Sequence, residues 1–373
     1  MSENRRHILR RAPDPLLLRE VTYRNVTARN RIVLSPMCQY CAEEDGIPDD
    51  WHFVHMGSRA VGGVGILFTE ATNVEPRGRI TRHCLGLWNE QQAEAFARIV
   101  RFVEAQGAVP GIQLGHGGRK ASTLRPWEGS GSLGTDEGGW ETIGPSSLPF
   151  ADGYAPPREM TKSDIADVVK AMANSTRLAR EAGFKIVEIH AAHGYLLHQF
   201  MSPLSNHRAD EYGGSFENRT RLLMETIEAV RSEWPDDLPL FLRISVSEWV
   251  DGGWDVEQSL ALARQLRRAG QVDLIDCSSG GNDPRQRIAI HPGYQIPLAA
   301  RIRQETGMAT GAVGLLHSPD LCEQVLANGH ADLIFLGRAL MAEPYWPIQA
   351  AKRLGASRKW PVQYERCDIY GGS

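Results

Sequence analysis

Eight short apolar runs recur along this 373-residue chain, and each is followed by a helix-like or loop segment. The runs cover residues 31–35, 64–69, 109–114, 185–190, 240–245, 272–276, 308–311 and 332–336. Continuous apolar runs bounded by glycine or polar residues are typical of strands buried on both faces of a parallel sheet. Eight alternations of strand and helix predict an α/β fold, the (β/α)8 TIM barrel, with its functional site at the carboxyl ends of the strands.

Amphipathic helices fit between several of these runs. Residues 163–182 and 256–269 have helical periodicity, and Gly183 and Gly270 stand just past their ends, where helices commonly stop. Another helix is predicted after Ser215, whose side chain can cap it. The alternation that a barrel requires is therefore present in the sequence.

We expect residues 1–373 to form a single domain. Residues 1–15 are predicted to be a flexible tail and residues 354–373 a carboxyl-terminal extension. Residues 122–157 follow the third predicted strand, are rich in Gly, Pro, Ser and Trp, and have no clear period. A loop this long in a compact domain is usually a lid or a binding loop, so we predict an insertion with that role.

The composition excludes several classes of protein. The net charge of −4 is mild and argues against a nucleic-acid partner, which would require a basic face. No apolar run approaches the length needed to span a bilayer, and the basic amino terminus lacks the apolar segment of a signal peptide. We therefore expect a cytoplasmic protein with no membrane partner.

The six cysteines are scattered, and in a cytosolic protein they should be reduced thiols rather than a disulfide framework. Cys38 and Cys41 have CxxC spacing, which would allow metal binding. No second CxxC and no nearby Cys/His pair completes a zinc set, so no metal is predicted.

Glycine pairs follow the last two predicted strands. The seventh strand leads into Gly311-Ala-Val-Gly314 and the eighth into Gly337-Arg338. In barrels, the loops after strands seven and eight often bind a phosphate through backbone N–H groups. Glycine allows close approach of the backbone and Arg338 supplies positive charge, so this end of the barrel is a predicted phosphate site.

The other strand ends carry hydrogen-bonding groups and one thiol. Ser35 to Cys38 end the first strand, Ala71 the second and Gln113 the third, while Arg243 lies within the fifth. This set suits a flat heteroaromatic cofactor, because Gln113 can pair with an imide edge and Arg243 can stabilise negative charge on a reduced ring. The alternative for Arg243 is a structural ion pair with a barrel acid such as Glu188.

The fourth strand delivers His190, His193 and Tyr195 to the same rim. Two neutral imidazoles can donate N–H groups to one substrate oxygen, and the phenol can supply a proton. The histidines could instead bind a metal, but the usual zinc signature is HExxH on a helix, with four-residue spacing. Two donors to a carbonyl oxygen fit this spacing better.

Cys38 and Tyr40 each have more than one interpretation. Cys38 could be a buried small side chain or a thiol that tunes a nearby redox ring. A nucleophilic role would need a base and an oxyanion hole, which the sequence does not indicate. Tyr40 is either part of the core or a further donor at the mouth of the barrel.

These residues resemble the Old Yellow Enzyme family of FMN-dependent NAD(P)H oxidoreductases, most closely the bacterial branch of thermophilic-like ene-reductases and xenobiotic reductases. The resemblance runs from about residue 16 to residue 366. Its motifs are Asn30-Arg-Ile-Val-Leu-Ser-Pro-Met-Cys38, Gln113-Leu-Gly-His-Gly-Gly-Arg-Lys-Ala121, His190-Ala-Ala-His-Gly-Tyr195, Ser202-Pro-Leu-Ser-Asn-His-Arg-Ala-Asp-Glu-Tyr-Gly-Gly214, Ala309-Thr-Gly-Ala-Val-Gly314, Leu336-Gly-Arg338 and Gln363-Tyr-Glu-Arg366.

The resemblance implies FMN as the cofactor and NADPH or NADH as the reductant. The residues that it implies for the flavin ring and ribityl chain are Ser35, Pro36, Met37, Cys38, Ala71, Gln113 and Arg243. Those implied for the phosphate are Gly314, Gly337 and Arg338. Cys38 should also modulate the potential of the flavin.

The resemblance also implies the reaction. Flavin N5 should give a hydride to the C=C bond of an α,β-unsaturated carbonyl or nitro compound, and Tyr195 should protonate the other carbon. His190 and His193 should bind the substrate oxygen, helped by Tyr40. Arg366 should reach into the site of a neighbouring subunit, which implies a homodimer or homotetramer.

Other functions stay open at this point. The FMN barrel could act mainly on xenobiotics such as nitro compounds or nitrate esters. A dienoyl-CoA or amine-dehydrogenase type would carry an iron–sulfur cluster, but no cysteine cluster follows the barrel. A metal-dependent barrel hydrolase or aldolase would use His190 and His193, and a non-catalytic barrel would only bind a ligand. Cys41 departs from the family pattern, since a small polar residue is expected there.

Overall fold

A closed barrel of parallel strands organises the chain, in a computed structural model that describes residues 14–357 and 360–367. The described strands are β1 Val21–Tyr23, β2 Val26–Ala28, β3 Ile32–Leu34, β4 Ile66–Asn73, β5 Val109–Gly115, β6 Ile143–Gly144, β7 Arg158–Glu159, β8 Ile186–Ala191, β9 Leu240–Ser245, β10 Leu274–Ser278, β11 Thr310–Ala312 and β12 Leu333–Leu336. The barrel order is β3-β4-β5-β8-β9-β10-β11-β12, and β12 pairs with β3 to close it. The predicted (β/α)8 TIM barrel is confirmed.

Helices surround the barrel. They are α1 Asp50–Val61, α2 Glu90–Ala105, α3 Lys162–Ala182, α4 Leu196–Met201, α5 Phe216–Glu233, α6 Val256–Ala269, α7 Ile296–Thr306, α8 Pro319–Ala327, α9 Arg338–Ala342 and α10 Trp346–Arg353. Ser215 caps α5 by accepting a hydrogen bond from the backbone of Asn218, as predicted. Gly183 and Gly270 end α3 and α6 in the left-handed conformation. No helix of the described residues is long and apolar enough to cross a membrane.

The predicted and observed strands differ mainly at their ends. The second run was predicted over residues 64–69, whereas β4 covers Ile66–Asn73. It extends further because Ala71 to Asn73 resume pairing with β5 after a register shift that follows Phe68. The seventh run was predicted over residues 308–311, whereas β11 begins at Thr310, where pairing with β10 begins.

Aromatic side chains fill the inside of the barrel. Phe68, Phe241 and Phe335 are buried there, and the rings of Phe68 and Phe335 stack with centroids 6.1 Å apart. Glycines make room for them, because a Cβ on Gly111 would lie 2.6 Å from Phe68 and one on Gly311 would lie 2.3 Å from Phe335. The hairpin of β1 and β2 packs over the amino-terminal ends. A packed interior leaves only the opposite end of the barrel open for a ligand.

The segments outside the barrel have little regular structure. Residues 122–157 contain a short helical turn at Thr135–Glu137 and β6, which pairs with β7 just beyond the segment. Trp140 anchors the segment by donating from its indole to the backbone oxygen of Arg77, at 2.8 Å. Most of the predicted flexible tail lies outside the described residues, as do parts of the predicted carboxyl-terminal extension.

Candidate active site

Four polar side chains lie on neighbouring barrel strands, and we call them the floor residues: Gln113, Glu188, Arg243 and Asp276. Gln113 is in register with Glu188, and its amide donates to Glu188 Oε1 at 2.8 Å. Arg243 is in register with Asp276, and its Nε lies 3.0 Å from Asp276 Oδ2. The acid paired with Arg243 is thus Asp276 and not Glu188, the example considered from the sequence. The floor residues are buried beneath the mouth of the barrel.

The floor acids have raised pKa values. Burial, together with the charge of Asp276, raises the pKa of Glu188 to about 8. Burial raises the pKa of Asp276 to about 6, although the charge of Arg243 acts in the opposite direction. Glu188 Oε2 and Asp276 Oδ1 have no hydrogen-bond partner among the described residues, whereas Asp276 Oδ2 has its ion pair with Arg243. Since buried polar atoms are normally paired, the floor has hydrogen-bonding capacity left for a polar ligand.

His190 and His193 lie together at the end of β8. Their ring centroids are 5.2 Å apart, and the ring of Tyr195 lies 5.0 Å from that of His190. His193 Nε2 is 2.7 Å from Ser278 Oγ, whereas His190 Nδ1 has no partner within the described part of the chain. Burial and the charge of Arg243 lower the pKa of both imidazoles well below their usual range. Both rings are therefore neutral at pH 7, as predicted.

The turn that carries these rings is tightly constrained. His193 has a φ of +57°, and Gly194 follows with a φ of +72°. A Cβ on Gly194 would lie 2.3 Å from the backbone oxygen of Gly281, so a larger residue cannot stand there without a shift. The backbone N–H of His193 also donates to Ser245 Oγ at 2.9 Å. These contacts fix the backbone at His193 and thereby the direction of its imidazole.

Lys120 is a site residue that the sequence reasoning did not single out. Its ammonium donates to the backbone oxygens of His193 and Gly281, each at 2.9 Å, and lies 5.0 Å from the ring of Tyr195. Burial and the charge of Arg119 lower the pKa of Lys120 to about 7. The available signal was its position in the short helical turn Gly118–Lys120 after β5, inside a motif that begins at Gln113.

A cavity of about 350 Å³ opens beside Tyr195. We call it the rim cavity. The residues lining it are Tyr40, Ile80, Lys120, Thr123, Leu124, Pro126, Gly129, Ser130, Gly131, Tyr154 and Tyr195. Burial raises the pKa of Tyr195 well above its usual range, so its hydroxyl keeps its proton at pH 7. The cavity therefore combines a proton donor with mixed polar and apolar walls, many of them from residues 122–157.

The loop that follows β3, the first strand of the barrel, reaches the rim cavity at Tyr40. Ser35 and Pro36 are buried, and Met37 and Cys38 are partly exposed. Cys38 and Tyr40 share a side-chain hydrogen bond, and burial raises the pKa of the Cys38 thiol well above its usual range. Cys38 is therefore a protonated thiol, which does not favour a nucleophilic role.

A second cavity, of about 430 Å³, follows β11 and β12. Gly314, Gly337 and Arg338 line it together with Ser278 and Tyr294. Gly314 has a φ of +123°, and a Cβ on Gly337 would lie 3.2 Å from Met37 Sδ. Glycine backbone beside an exposed guanidinium fits a phosphate group. A larger cavity, of about 790 Å³, is lined by none of the predicted site residues.

The remaining predicted residues lie apart or at the edge. Ala71 is buried on β4, next to Gln113 in the barrel register. Arg366 is exposed in the short helical turn Val362–Cys367. Its role toward a neighbouring subunit stays a prediction.

The chain matches the model of the NADH:flavin oxidoreductase / NADH oxidase family over residues 17–356. The NADPH dehydrogenase of Geobacillus thermodenitrificans (strain NG80-2) is 47% identical over 354 residues, which cover 95% of this chain and 98% of that protein. The NADPH dehydrogenase of Bacillus subtilis (strain 168) is 44% identical over 351 residues, which cover 94% and 98%.

Solved structures agree with this assignment. Morphinone reductase superposes with a TM-score of 0.76 at 25% identity, over 92% of this chain and 91% of that chain. A 2-naphthoyl-CoA reductase complex gives a TM-score of 0.83 at 26% identity, over 91% of this chain and 52% of that chain. The protein is thus a flavin-dependent oxidoreductase on a TIM barrel. It belongs to the NADH:flavin oxidoreductase / NADH oxidase family, with FMN as cofactor, and the predicted Old Yellow Enzyme resemblance is confirmed.

Proposed function

We propose that this protein is an NADPH-dependent ene-reductase, which reduces the activated C=C bond of α,β-unsaturated carbonyl or nitro compounds. The observation that carries the proposal is the grouping of His190, His193 and Tyr195 at one point of the barrel mouth. Two neutral N–H donors and one protonated phenol are what a substrate needs when negative charge develops on its oxygen and one carbon must be protonated. The names of the NADPH dehydrogenases support NADPH as the reductant.

The floor residues and the cavity after β12 would hold FMN. Gln113, whose amide also donates to Glu188, would pair with the imide edge of the ring. Arg243, which forms an ion pair with Asp276, would place its guanidinium close to that edge. Ser35, Pro36, Met37, Cys38 and Ala71 would line the ring and ribityl chain. Gly314, Gly337 and Arg338 would hold the phosphate. When bound, FMN supplies the hydride that the alkene accepts.

His190 and His193 would bind the carbonyl or nitro oxygen. Because both imidazoles are neutral, they would donate hydrogen bonds that strengthen as negative charge builds on that oxygen. Lys120 holds the backbone oxygen of His193 and so helps to position that residue. Tyr40 lines the rim cavity and would contact the same oxygen.

Tyr195 would deliver the proton. Its hydroxyl is protonated at pH 7 and borders the rim cavity, where the α-carbon of the alkene would lie. Residues 122–157 would act as the lid over that cavity. In a homodimer or homotetramer, exposed Arg366 would reach a neighbouring site.

Product analysis tests this function. FMN-loaded protein is incubated with NADPH and 2-cyclohexen-1-one under argon, and the products are separated by gas chromatography. We expect one cyclohexanone for each NADPH consumed. NADPH oxidation that needs oxygen and leaves the alkene intact would contradict the proposal. A parallel reaction with a nitrate ester shows whether the protein prefers xenobiotic substrates to the alkene.

A further inference from the structure

A cysteine, a histidine and two carboxylates meet between β3 and α1, and we call them the Cys41 cluster: Cys41, Asp49, His52 and Glu70. Asp49 caps α1 by accepting hydrogen bonds from the backbone N–H groups of Trp51 and His52. This cap turns the His52 ring back toward the loop that carries Cys41. None of the roles described above for the active site involves this cluster.

The cluster has the order carboxylate, imidazole, thiol. Asp49 Oδ1 lies 2.6 Å from His52 Nδ1, and the other ring nitrogen, Nε2, lies 3.5 Å from Cys41 Sγ. Glu70 Oε1 is 3.3 Å from the same Nε2 and has no hydrogen-bond partner among the described residues. The Glu70 side chain is only 1% exposed, so its free oxygen is a buried acceptor directed at the imidazole.

These acceptors favour a protonated imidazole. Burial alone would lower the pKa of His52, but its contacts with Cys41 and Glu70 raise it to about 10. His55, the other titratable group that faces His52, has its pKa lowered to about 4 by burial and is neutral. A cationic imidazole beside a thiol stabilises the thiolate, which is the nucleophilic form of cysteine.

Cys41 differs from the buried cysteines in its exposure and in its imidazole neighbour. Burial raises the pKa of the Cys84 and Cys322 thiols to about 12, and it also raises that of Cys277. Buried thiols of this kind are unreactive. Cys41 is partly exposed and has an imidazole at its sulfur. Exposed Cys367 provides a reference thiol in the same chain.

A metal site is the competing interpretation. Ligand atoms of Cys41, Asp49 and His52 lie within 4.8 Å of one another. However, Cys41 faces Nε2 of His52 and Asp49 faces Nδ1, and the lone pairs of these two nitrogens point away from each other. One ion cannot bind both ring nitrogens, so Asp49 and Cys41 cannot share an ion through His52. Asp49 on Nδ1 would orient the ring in either case, and metal analysis of the purified protein tests whether an ion lies between Cys41 and Nε2.

We propose that Cys41 is a covalent modification site for soft electrophiles, above all electron-poor alkenes. The Cys41 sulfur forms a bond to the β-carbon of the alkene, the π bond breaks, and its electron pair moves to the α-carbon. The proton of His52 Nε2 then passes to that carbon, which leaves a thioether and a neutral imidazole. No electron acceptor is required, so this addition is independent of the reduction proposed above.

The experiment measures alkylation by N-ethylmaleimide. FMN-loaded protein without NADPH is labelled at pH 6 and at pH 8, and each cysteine is quantified by peptide mass spectrometry. We expect Cys41 to be labelled about tenfold or more faster than Cys367 at pH 6, because a neighbouring imidazolium favours the nucleophilic form of a thiol. The difference should be smaller at pH 8, where exposed thiols in general react faster.

His52→Gln is the decisive variant. It should slow labelling of Cys41 at pH 6 by about tenfold or more and leave Cys367 unchanged. Retained FMN content and circular dichroism show that the variant is folded, and Cys41→Ser identifies the labelled peptide. The proposal is overturned if Cys41 is labelled no faster than Cys367 at pH 6, if His52→Gln leaves its rate unchanged, or if the purified protein holds stoichiometric zinc that Cys41→Ser removes.

Discussion

The floor and the rim of the active site are built in different ways. The floor residues Gln113, Glu188, Arg243 and Asp276 lie on adjacent strands, and the closed barrel fixes their register. The rim consists of loops, in which Tyr40 and His193 have positive φ values of 54° and 57°. Strand geometry thus fixes the groups that would meet the cofactor, while individual loop contacts fix those that would meet the substrate. Changes at the rim should therefore separate substrate chemistry from cofactor chemistry.

The largest difference between the rates of alkene reduction and flavin reduction is expected for Tyr195→Phe. Loss of the proton donor should slow alkene reduction by roughly 10²- to 10⁴-fold, the usual contribution of a general acid. Reduction of the flavin by NADPH should be nearly unchanged, because that step needs no proton from the phenol. Anaerobic stopped-flow absorbance measures the two half-reactions separately. Tyr154→Phe, in the same cavity, is the matched control and should leave both rates close to wild type. Equal slowing of both half-reactions in Tyr195→Phe would refute its role.

His190→Ala should weaken phenol binding. Loss of one hydrogen bond to a phenolate oxygen corresponds to about 1.5–3 kcal/mol, or roughly a tenfold to hundredfold weaker affinity. Titration of the flavin absorption with 4-hydroxybenzaldehyde gives the dissociation constants. His190→Gln keeps an N–H donor and should recover part of the affinity. An unchanged dissociation constant in His190→Ala would show that this imidazole does not bind the oxygen.

A floor substitution should alter the pH dependence of the flavin potential. The pKa of Glu188 is raised to about 8, so its carboxyl is neutral below that pH and becomes charged above it. A new negative charge beside the ring disfavours electron uptake, and the midpoint potential should therefore fall more steeply above pH 8. In Glu188→Gln this extra fall should vanish. Spectroelectrochemistry between pH 6 and pH 9.5 measures it, and identical slopes in the two proteins would count against a link between Glu188 and the cofactor.

The smallest effect is expected at the outer rim. Trp127 is 65% exposed and packs edge-on against Tyr40, with centroids 6.1 Å apart. An aromatic pair contributes about 0.5–1.5 kcal/mol, so Trp127→Ala should raise KM for a bulky enone by roughly twofold to tenfold. The kcat for 2-cyclohexen-1-one should stay close to wild type. If the two substrates respond equally, Trp127 does not contribute to size selection.

The contrast between a floor held by strands and a rim held by loop contacts also explains which residues could be predicted from the sequence. Buried strands have continuous apolar runs, so the barrel and the positions of Gln113, Arg243 and His190 followed from pattern and family motifs. The partner of Arg243 did not, because only the barrel register brings Asp276 beside it. Lys120 was missed since its role depends on two backbone oxygens that lie far away in sequence. The Cys41 cluster likewise depends on a helix cap that directs the ring of His52 toward the loop.

An anaerobic titration followed by visible absorbance tests the central claim, that the barrel mouth binds FMN and presents an activated alkene to it. The purified protein should be yellow, lose its colour with one equivalent of NADPH, and regain it with one equivalent of 2-cyclohexen-1-one. Folded protein that binds no FMN, or bleached protein that the alkene cannot recolour, would contradict the account.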